Sequence, residues 1–305
     1  MSSLLSLLTQ IMHIVLMLAA APTFAGALDW VSARLGGRTG PPLLLPWQDL
    51  ARLWRKTPMA MDSASVVSRL APAVALGATL SAAALVPSFT LGMALAPLAD
   101  VLVIVSLLAL ARIASSLAAL DCGAPLPALA AQSASARAVL TEPALMLSVV
   151  SLALIGGNFN LDLIIAQQRE GLLLPAAASA VALTAMLALL FAEASADDDG
   201  LRQMASGTDL AISRITVWLR RLVWIDLIGG LFLPIGMAGA GGFPLGWLIG
   251  LACWAVKLAA FTVGLSAVQT FLGRVPRRGL SDLVGVAALL ALLATIMVLA
   301  STGTV

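Results

Sequence analysis

Asp100, Arg112, Glu142, Glu193, Arg214, Arg220, Arg221, Asp226 and Lys257 stand inside long apolar blocks of this sequence. A charge at the centre of a bilayer costs about 2.5–3.5 kcal/mol, so each of these residues needs a reason to be there. Two chemistries fit. They form buried ion pairs that fix helix packing, or they line a polar track that carries protons or ions. Arginine does not release its proton, so Arg214, Arg220 and Arg221 can only bias the local field. Glu142, Glu193, Asp226 and Lys257 remain as possible carriers, with Asp121 at the entrance to such a path. Lys257 is the deepest and should face a carboxylate or a wet cavity. Arg214 and Arg221 are two turns apart on one helix face. Residue types alone leave ion pairing and proton handling both open.

Other chemistries find little support. His13 lies in the first apolar block and reads as a polar residue packed within a bundle. Cys122 and Cys253 fit no metal spacing and read as small hydrophobes. No metal, haem or iron–sulfur cluster is expected on this chain. There is no phosphate-cradling glycine loop, no Ser/His/Asp set and no reactive cysteine environment. Asp197-Asp198-Asp199 lacks the spacing of a calcium loop. It reads as a solvated turn, or as a contact for a basic patch on a partner. No nucleic-acid partner is expected, and no reaction is expected of this chain alone.

The elements that must hold these residues are membrane helices. Of 305 residues, 61% are hydrophobic and 10% charged, with a mean hydropathy of +1.04. So few charges cannot clothe a water-exposed surface. The apolar blocks run to about 20 residues, the length that crosses a hydrocarbon core as a helix. Backbone groups in lipid must bond within their own segment, which excludes open strands. The expected fold is an all-α membrane protein, one domain over 1–305. It is a polytopic bundle of about eight transmembrane helices at roughly 4–28, 68–87, 96–119, 138–157, 172–192, 209–233, 243–271 and 280–301. Proline and glycine mark the connections: Pro87 and Pro97, Pro125 and Pro127, Gly156 and Gly157, Pro234, Gly239 to Gly242, and Pro276.

The net charge is only +2, but its distribution is informative. Arg34, Arg38, Arg52, Arg55, Lys56 and Arg69 fall in the first connection, Arg137 in the third, Arg202 in the fifth, and Arg274, Arg277 and Arg278 in the seventh. The opposite loops carry only Arg169. By the positive-inside rule the odd-numbered loops are cytoplasmic and both termini face outward. Within the first loop, Trp47, Leu50, Leu53 and Trp54 share a helical face, with Arg52, Arg55 and Lys56 off it. That pattern predicts an amphipathic interfacial helix. It serves as a membrane anchor, a docking surface for a cytoplasmic partner, or both.

An ordered set of motifs then carries a resemblance. Gly37-Arg38-Thr39-Gly40-Pro41-Pro42 precedes Trp47-Gln48-Asp49-Leu50-Ala51-Arg52-Leu53. Asp62-Ser63-Ala64-Ser65 leads to Arg69-Leu70-Ala71-Pro72. Then come Leu110-Ala111-Arg112, Leu120-Asp121-Cys122-Gly123-Ala124-Pro125 and Glu142-Pro143-Ala144-Leu145. Ser206-Gly207, Leu210-Ala211, Phe232-Leu233-Pro234-Ile235-Gly236, Lys257, Arg274, Pro276-Arg277-Arg278 and Asp282 follow. In this order they resemble the respiratory complex I subunit 1 family over nearly the whole chain. The likeness is closer to the branch found in formate hydrogenlyase and hydrogenase-4 type complexes (hydrogenase-4 component C).

The resemblance implies a subunit in a bacterial inner membrane that anchors a cytoplasmic electron-transfer arm. Its implied partners are hydrogenase-like or quinone-reductase-like large and small subunits, iron–sulfur proteins, and antiporter-like membrane subunits. Iron–sulfur clusters and nickel–iron would belong to those partners. The implied docking residues are Arg38, Gly40, Pro41, Gln48, Asp49, Arg52, Arg274, Arg277 and Arg278. The sequence departs from the family pattern where that family keeps acids. Gln132-Ser133-Ala134 replaces an Arg-Glu pair, Met204-Ala205 precede Ser206-Gly207 after a shortened fifth loop, and Gln269 stands for an acid. There is no tyrosine. These losses weaken an inherited proton path and argue against a complete quinone chamber. Two other readings stay open: a stand-alone secondary transporter with a midplane site at Lys257 and Asp226, and a non-conducting scaffold.

Overall fold

A computed structural model describes residues 2–57, 65–171, 176–195, 205–239, 244–272 and 277–302. The described residues form ten α-helices: α1 (Ser2–Leu35), α2 (Leu45–Trp54), α3 (Val66–Leu85), α4 (Val101–Asp121), α5 (Pro125–Gly156), α6 (Leu161–Arg169), α7 (Ala176–Ala194), α8 (Gly207–Phe232), α9 (Pro244–Leu272) and α10 (Arg277–Thr302). The chain is a helical membrane protein. Among the described residues, six helices are long and apolar enough to cross a bilayer: α1, α3, α4, α5, α9 and α10.

The other two expected spans coincide with α7 and α8. The apolar part of α7 that is described, Ala178–Ala194, is shorter than a full crossing. α8 has the length, but Arg214, Arg220, Arg221 and Asp226 lie within it. Its position explains that composition. α8 is the hub of the bundle, packed against α1, α2, α3, α6, α7 and α9. Leu219, Leu222, Val223, Trp224, Ile228 and Leu231 are fully buried around its circumference. A helix surrounded by protein can carry charges that a lipid-facing helix could not. Around it, α3 packs on α4, α4 on α5, and α10 against α5 and α7, while α9 is held chiefly by α1.

Two boundaries differ from expectation for identifiable reasons. Pro125 and Pro127 do not break the chain. Pro125 opens α5, where a missing N–H and a fixed φ suit the first helical turn. The third connection is therefore only a tight turn, and Arg137 lies within α5. Likewise α4 starts late. A short 3₁₀ turn, Ala96–Leu98, precedes Asp100, whose side chain accepts the Leu102 N–H and caps the helix. Asp100 is thus a cap rather than an intramembrane charge.

α6 was not expected. Asn160 caps it by accepting from Leu163 N, and Leu161, Ile164 and Ile165 are fully buried. It belongs to a stitched layer at the end of the bundle opposite α2. Val101 N bonds Phe159 O at 3.0 Å and Leu161 N bonds Ala99 O at 2.7 Å. Leu91 N bonds Ala238 O and Ala238 N bonds Phe89 O, both at 2.9 Å. These bonds join the α3–α4, α5–α7 and α8–α9 connections, satisfying backbone groups that have no helical partner.

Candidate functional site

Three of the charged residues expected inside the bundle, Arg112, Glu142 and Arg220, form one network with Glu193, near the end of α7. Arg220 of α8 donates from Nε to Glu193 Oε1 at 2.6 Å. Arg112 of α4 reaches Glu193 Oε2 from Nη2 at 3.3 Å, and its Nε lies 3.7 Å from Oε1 of Glu142 on α5. Arg221 adds a further positive field at Glu193. The result is a chain of charges across α5, α4, α7 and α8. Glu193 and Arg112 are buried. Burying ions is costly unless each finds a partner with good geometry, and here Glu193 is held by two guanidinium groups. The sequence marked all four positions. It did not indicate that Arg112 would bridge the two glutamates, because they come from helices separated in sequence.

A second polar group lies where α2 meets α1 and α8. A cavity of about 170 Å³ is lined by residues that include Phe24, Asp29, Asp49, Arg214, Trp218 and Arg221. That volume holds several waters. Asp49 of α2 lies 3.6 Å from Arg214 and also pairs with Arg52. Arg214 and Arg221, on one face of α8, both line the cavity. Arg221 therefore borders the cavity and also influences Glu193 from the adjacent network.

Small residues make the seat of α2 possible. A side chain at Gly26 would collide with the Leu43 carbonyl. At Gly40 an added Cβ would stand 3.0 Å from Trp30 O. The loop before α2 is thus laid directly against α1. At the far end of the loop, Gly207 has φ +59° and packs under the Lys56 and Thr57 carbonyls. Pro46 and Leu50 of α2 are buried, but Trp47 and Trp54 are exposed. The single apolar face expected for this helix is therefore divided between protein and surroundings.

Asp226 and Lys257 lie apart from the Glu193 cluster. Asp226 Oδ1 accepts the Trp254 indole N–H at 2.7 Å, linking α8 to α9. Its buried Oδ2 has no hydrogen-bond partner among the described residues. Lys257, half-buried, lies within electrostatic range of Asp226. Asp121 belongs to neither group. It accepts from Ser65 N, Ser65 Oγ and Ser68 N at 2.8–3.0 Å, capping the start of α3 from the end of α4. His13 is buried between Ser88 Oγ and Ala83 O, each at 2.8 Å. No group of three or more potential metal ligands occurs among the described residues.

Of the remaining expected docking residues, Arg38 and Gln48 are exposed at the α2 end and Pro41 is half-buried. Arg277 and Arg278 open α10. Arg274, Asp197, Asp198, Asp199 and Arg202 lie outside the described residues.

Comparison with known proteins resolves the family. A family model described as NADH dehydrogenase matches residues 8–300. The chain belongs to the NADH dehydrogenase family, that of complex I subunit 1. Within this family it is 30% identical to hydrogenase-4 component C of Escherichia coli (strain K12) over 73% of this chain and 74% of that protein. It is 28% identical to formate hydrogenlyase subunit 4 of the same organism, over 88% of this chain and 89% of the relative. Its fold superposes with a TM-score of 0.78 on a chain in a structure of the membrane-bound sulfane sulfur reductase, an archaeal respiratory membrane complex. That match covers 95% of this chain and 98% of the other at 20% identity, and so establishes a shared fold.

Proposed function

We propose that this chain is the membrane-anchor subunit of a complex I-like or group 4 hydrogenase-like complex in a bacterial inner membrane, docking the cytoplasmic electron-transfer arm at the α2 end. The reading includes eight crossings, with α7 and α8 completing the six apolar spans, cytoplasmic odd-numbered loops and both termini outward. The observation that carries it is the seating of the first loop. Gly26 and Gly40 admit the loop backbone onto α1, and Asp49 reaches Arg214 of the central helix. A rigid basic platform carrying Arg38, Gly40, Pro41, Gln48, Asp49 and Arg52 suits a large hydrophilic partner. Arg274, Arg277 and Arg278 complete the proposed docking set. The partners are large and small subunits of the hydrogenase or quinone-reductase type, iron–sulfur proteins and antiporter-like membrane subunits. Clusters and nickel–iron reside in them, and no cofactor is assigned to this chain.

Affinity purification of the tagged full chain from its native membrane tests this. Iron–sulfur proteins should co-purify, and Gly26→Leu should release them while the chain stays in the membrane. Recovery of the wild-type chain alone would refute the anchor role.

A second reading is supported by the Arg112–Glu193–Arg220 network: proton handling by the bundle, with Glu142 and Glu193 as carriers beside Asp226 and Lys257. The network connects a buried carboxylate, Glu193, to the half-buried Glu142 through Arg112. Proton translocation by the assembled complex that is unchanged in both Glu142→Gln and Lys257→Met would rule out this role.

A further inference from the structure

We propose that α2 is an anionic-lipid contact: its outward face binds acidic phospholipid headgroups of the leaflet beside the docking platform. The inference rests on the α2 end lying at a membrane surface, and it does not depend on which complex is anchored.

Three stripes run along this short helix. At 3.6 residues per turn, Pro46, Leu50 and Leu53 share one side. Pro46 and Leu50 are buried against the bundle and Leu53 is half-buried. Leu44, Trp47, Ala51 and Trp54 form a second side, and all four are exposed. Gln48, Arg52 and Arg55 form the third, also exposed. The apolar stripe is not small: Leu44, Trp47 and Trp54 are 58%, 40% and 56% exposed. In water such a stripe would be an aggregation hazard.

Further apolar residues are exposed near this helix and at the start of α3. Leu43, just before α2, is exposed, and so are Val66, Val67 and Leu70 in the first turns of α3 at the same end. A bilayer interface accommodates exposed indoles and aliphatics set beside cations. Tryptophan favours this depth because its ring is apolar and its N–H reaches the headgroups.

Charge specifies the lipid. Between residues 34 and 57 the cations are Arg34, Arg38, Arg52, Arg55 and Lys56, and the only acid is Asp49. All five cations are exposed. Asp49 faces Arg214 and the cavity through one oxygen and pairs with Arg52 through the other. Arg34, Arg38, Arg55 and Lys56 are left in excess on the outer surface, beside two exposed indoles. Arg34, one of these cations, stacks over Trp30 with Cζ 5.3 Å from the ring centroid, which fixes its guanidinium at this rim. Acidic headgroups are attracted by such clusters, with a salt-sensitive contribution from each cation.

Full-length protein in nanodiscs tests this directly. The probe is a small mole fraction of brominated phosphatidylglycerol or brominated phosphatidylcholine in a phosphatidylcholine background. The signal is the part of tryptophan fluorescence quenching lost in Trp47→Phe/Trp54→Phe. Brominated phosphatidylglycerol should quench that part at least about twofold more strongly at low salt. The excess should fall in 1 M salt and in Arg55→Gln/Lys56→Gln, two exposed positions that can change without unfolding the chain. Equal quenching by both lipids would overturn the headgroup preference. No quenching by either would overturn the membrane contact and leave the face to a protein partner. Co-purification of the electron-transfer proteins reads the anchor role separately.

Discussion

Arg220 and Glu193 meet in a 2.6 Å hydrogen-bonded ion pair between the central helix and α7, and Arg112 closes on the same carboxylate from α4. Three helices distant in sequence are thereby tied by one acid. Glu193→Gln would leave two guanidinium groups in the bundle without that counter-charge. Loss of one partner from a buried pair costs about 3–5 kcal/mol. The expected outcome is a sharp drop in thermal stability in mild detergent. Adding Arg220→Met to Glu193→Gln should recover part of the loss, and a strictly additive double variant would argue against the pair.

Asp121 caps α3 from outside that helix, and the residues it serves are Ser65 and Ser68. Asp121→Ala should therefore fray the first turn of α3. Hydrogen exchange at Val66 to Arg69 should accelerate while the α7–α8 network keeps its protection. A fall in proton translocation by the complex without any change at α3 would point to conduction rather than capping as the role of Asp121.

Gly26 has no room for a side chain, because the Leu43 backbone carbonyl occupies that space. A backbone group cannot swing aside as a flexible side chain can. Gly26→Ala should lift the loop and α2 from α1, at about 1–3 kcal/mol. Limited trypsin digestion should then cut faster at Arg52, Arg55 and Lys56. Gly77→Ala is the control, since nothing lies within 4 Å of its added Cβ.

Asp162, on α6 in the stitched layer, accepts the Gly92 N–H at 3.0 Å. Burial raises its pKa above the ordinary carboxylate value, and the Gly92 bond opposes that shift only in part. A raised pKa means that the folded state holds the proton more tightly than the unfolded chain. Its contribution is present below the ordinary value and is lost as pH rises through the raised one. Asp162→Asn keeps an acceptor for Gly92 and removes the titration. The fall in melting temperature on going from about pH 4 to pH 7 should be smaller in the variant. Equal pH dependence in the two proteins would show that Asp162 does not titrate differently on folding.

Much of the helical layout was legible because it follows from local rules. Apolar length located the long helices, and loop prolines located most of their ends. The misread boundaries share one cause: proline and aspartate act oppositely at a helix start and within a helix. Pro125 reads as a breaker until α5 is seen to begin on it. Asp100 reads as a charge in lipid until it caps α4. α6 escaped notice because nine residues with three buried aliphatics make too short a period to separate from a loop.

The sequence by itself determined that this is a helical membrane protein, which charges are out of place in it, and which end of the bundle is basic. Composition, segment length and charge position carry that information without reference to any contact. Only the tertiary structure decided which charges belong together. Arg112 joins Glu142 to Glu193, Asp49 turns in to Arg214, and Asp121 leaves the polar group altogether to cap α3. It also divided the apolar side of α2, burying Leu50 and exposing Trp47 and Trp54. Helical periodicity records only that a side is apolar. Whether protein or lipid covers it depends on neighbours that the folded chain brings from elsewhere.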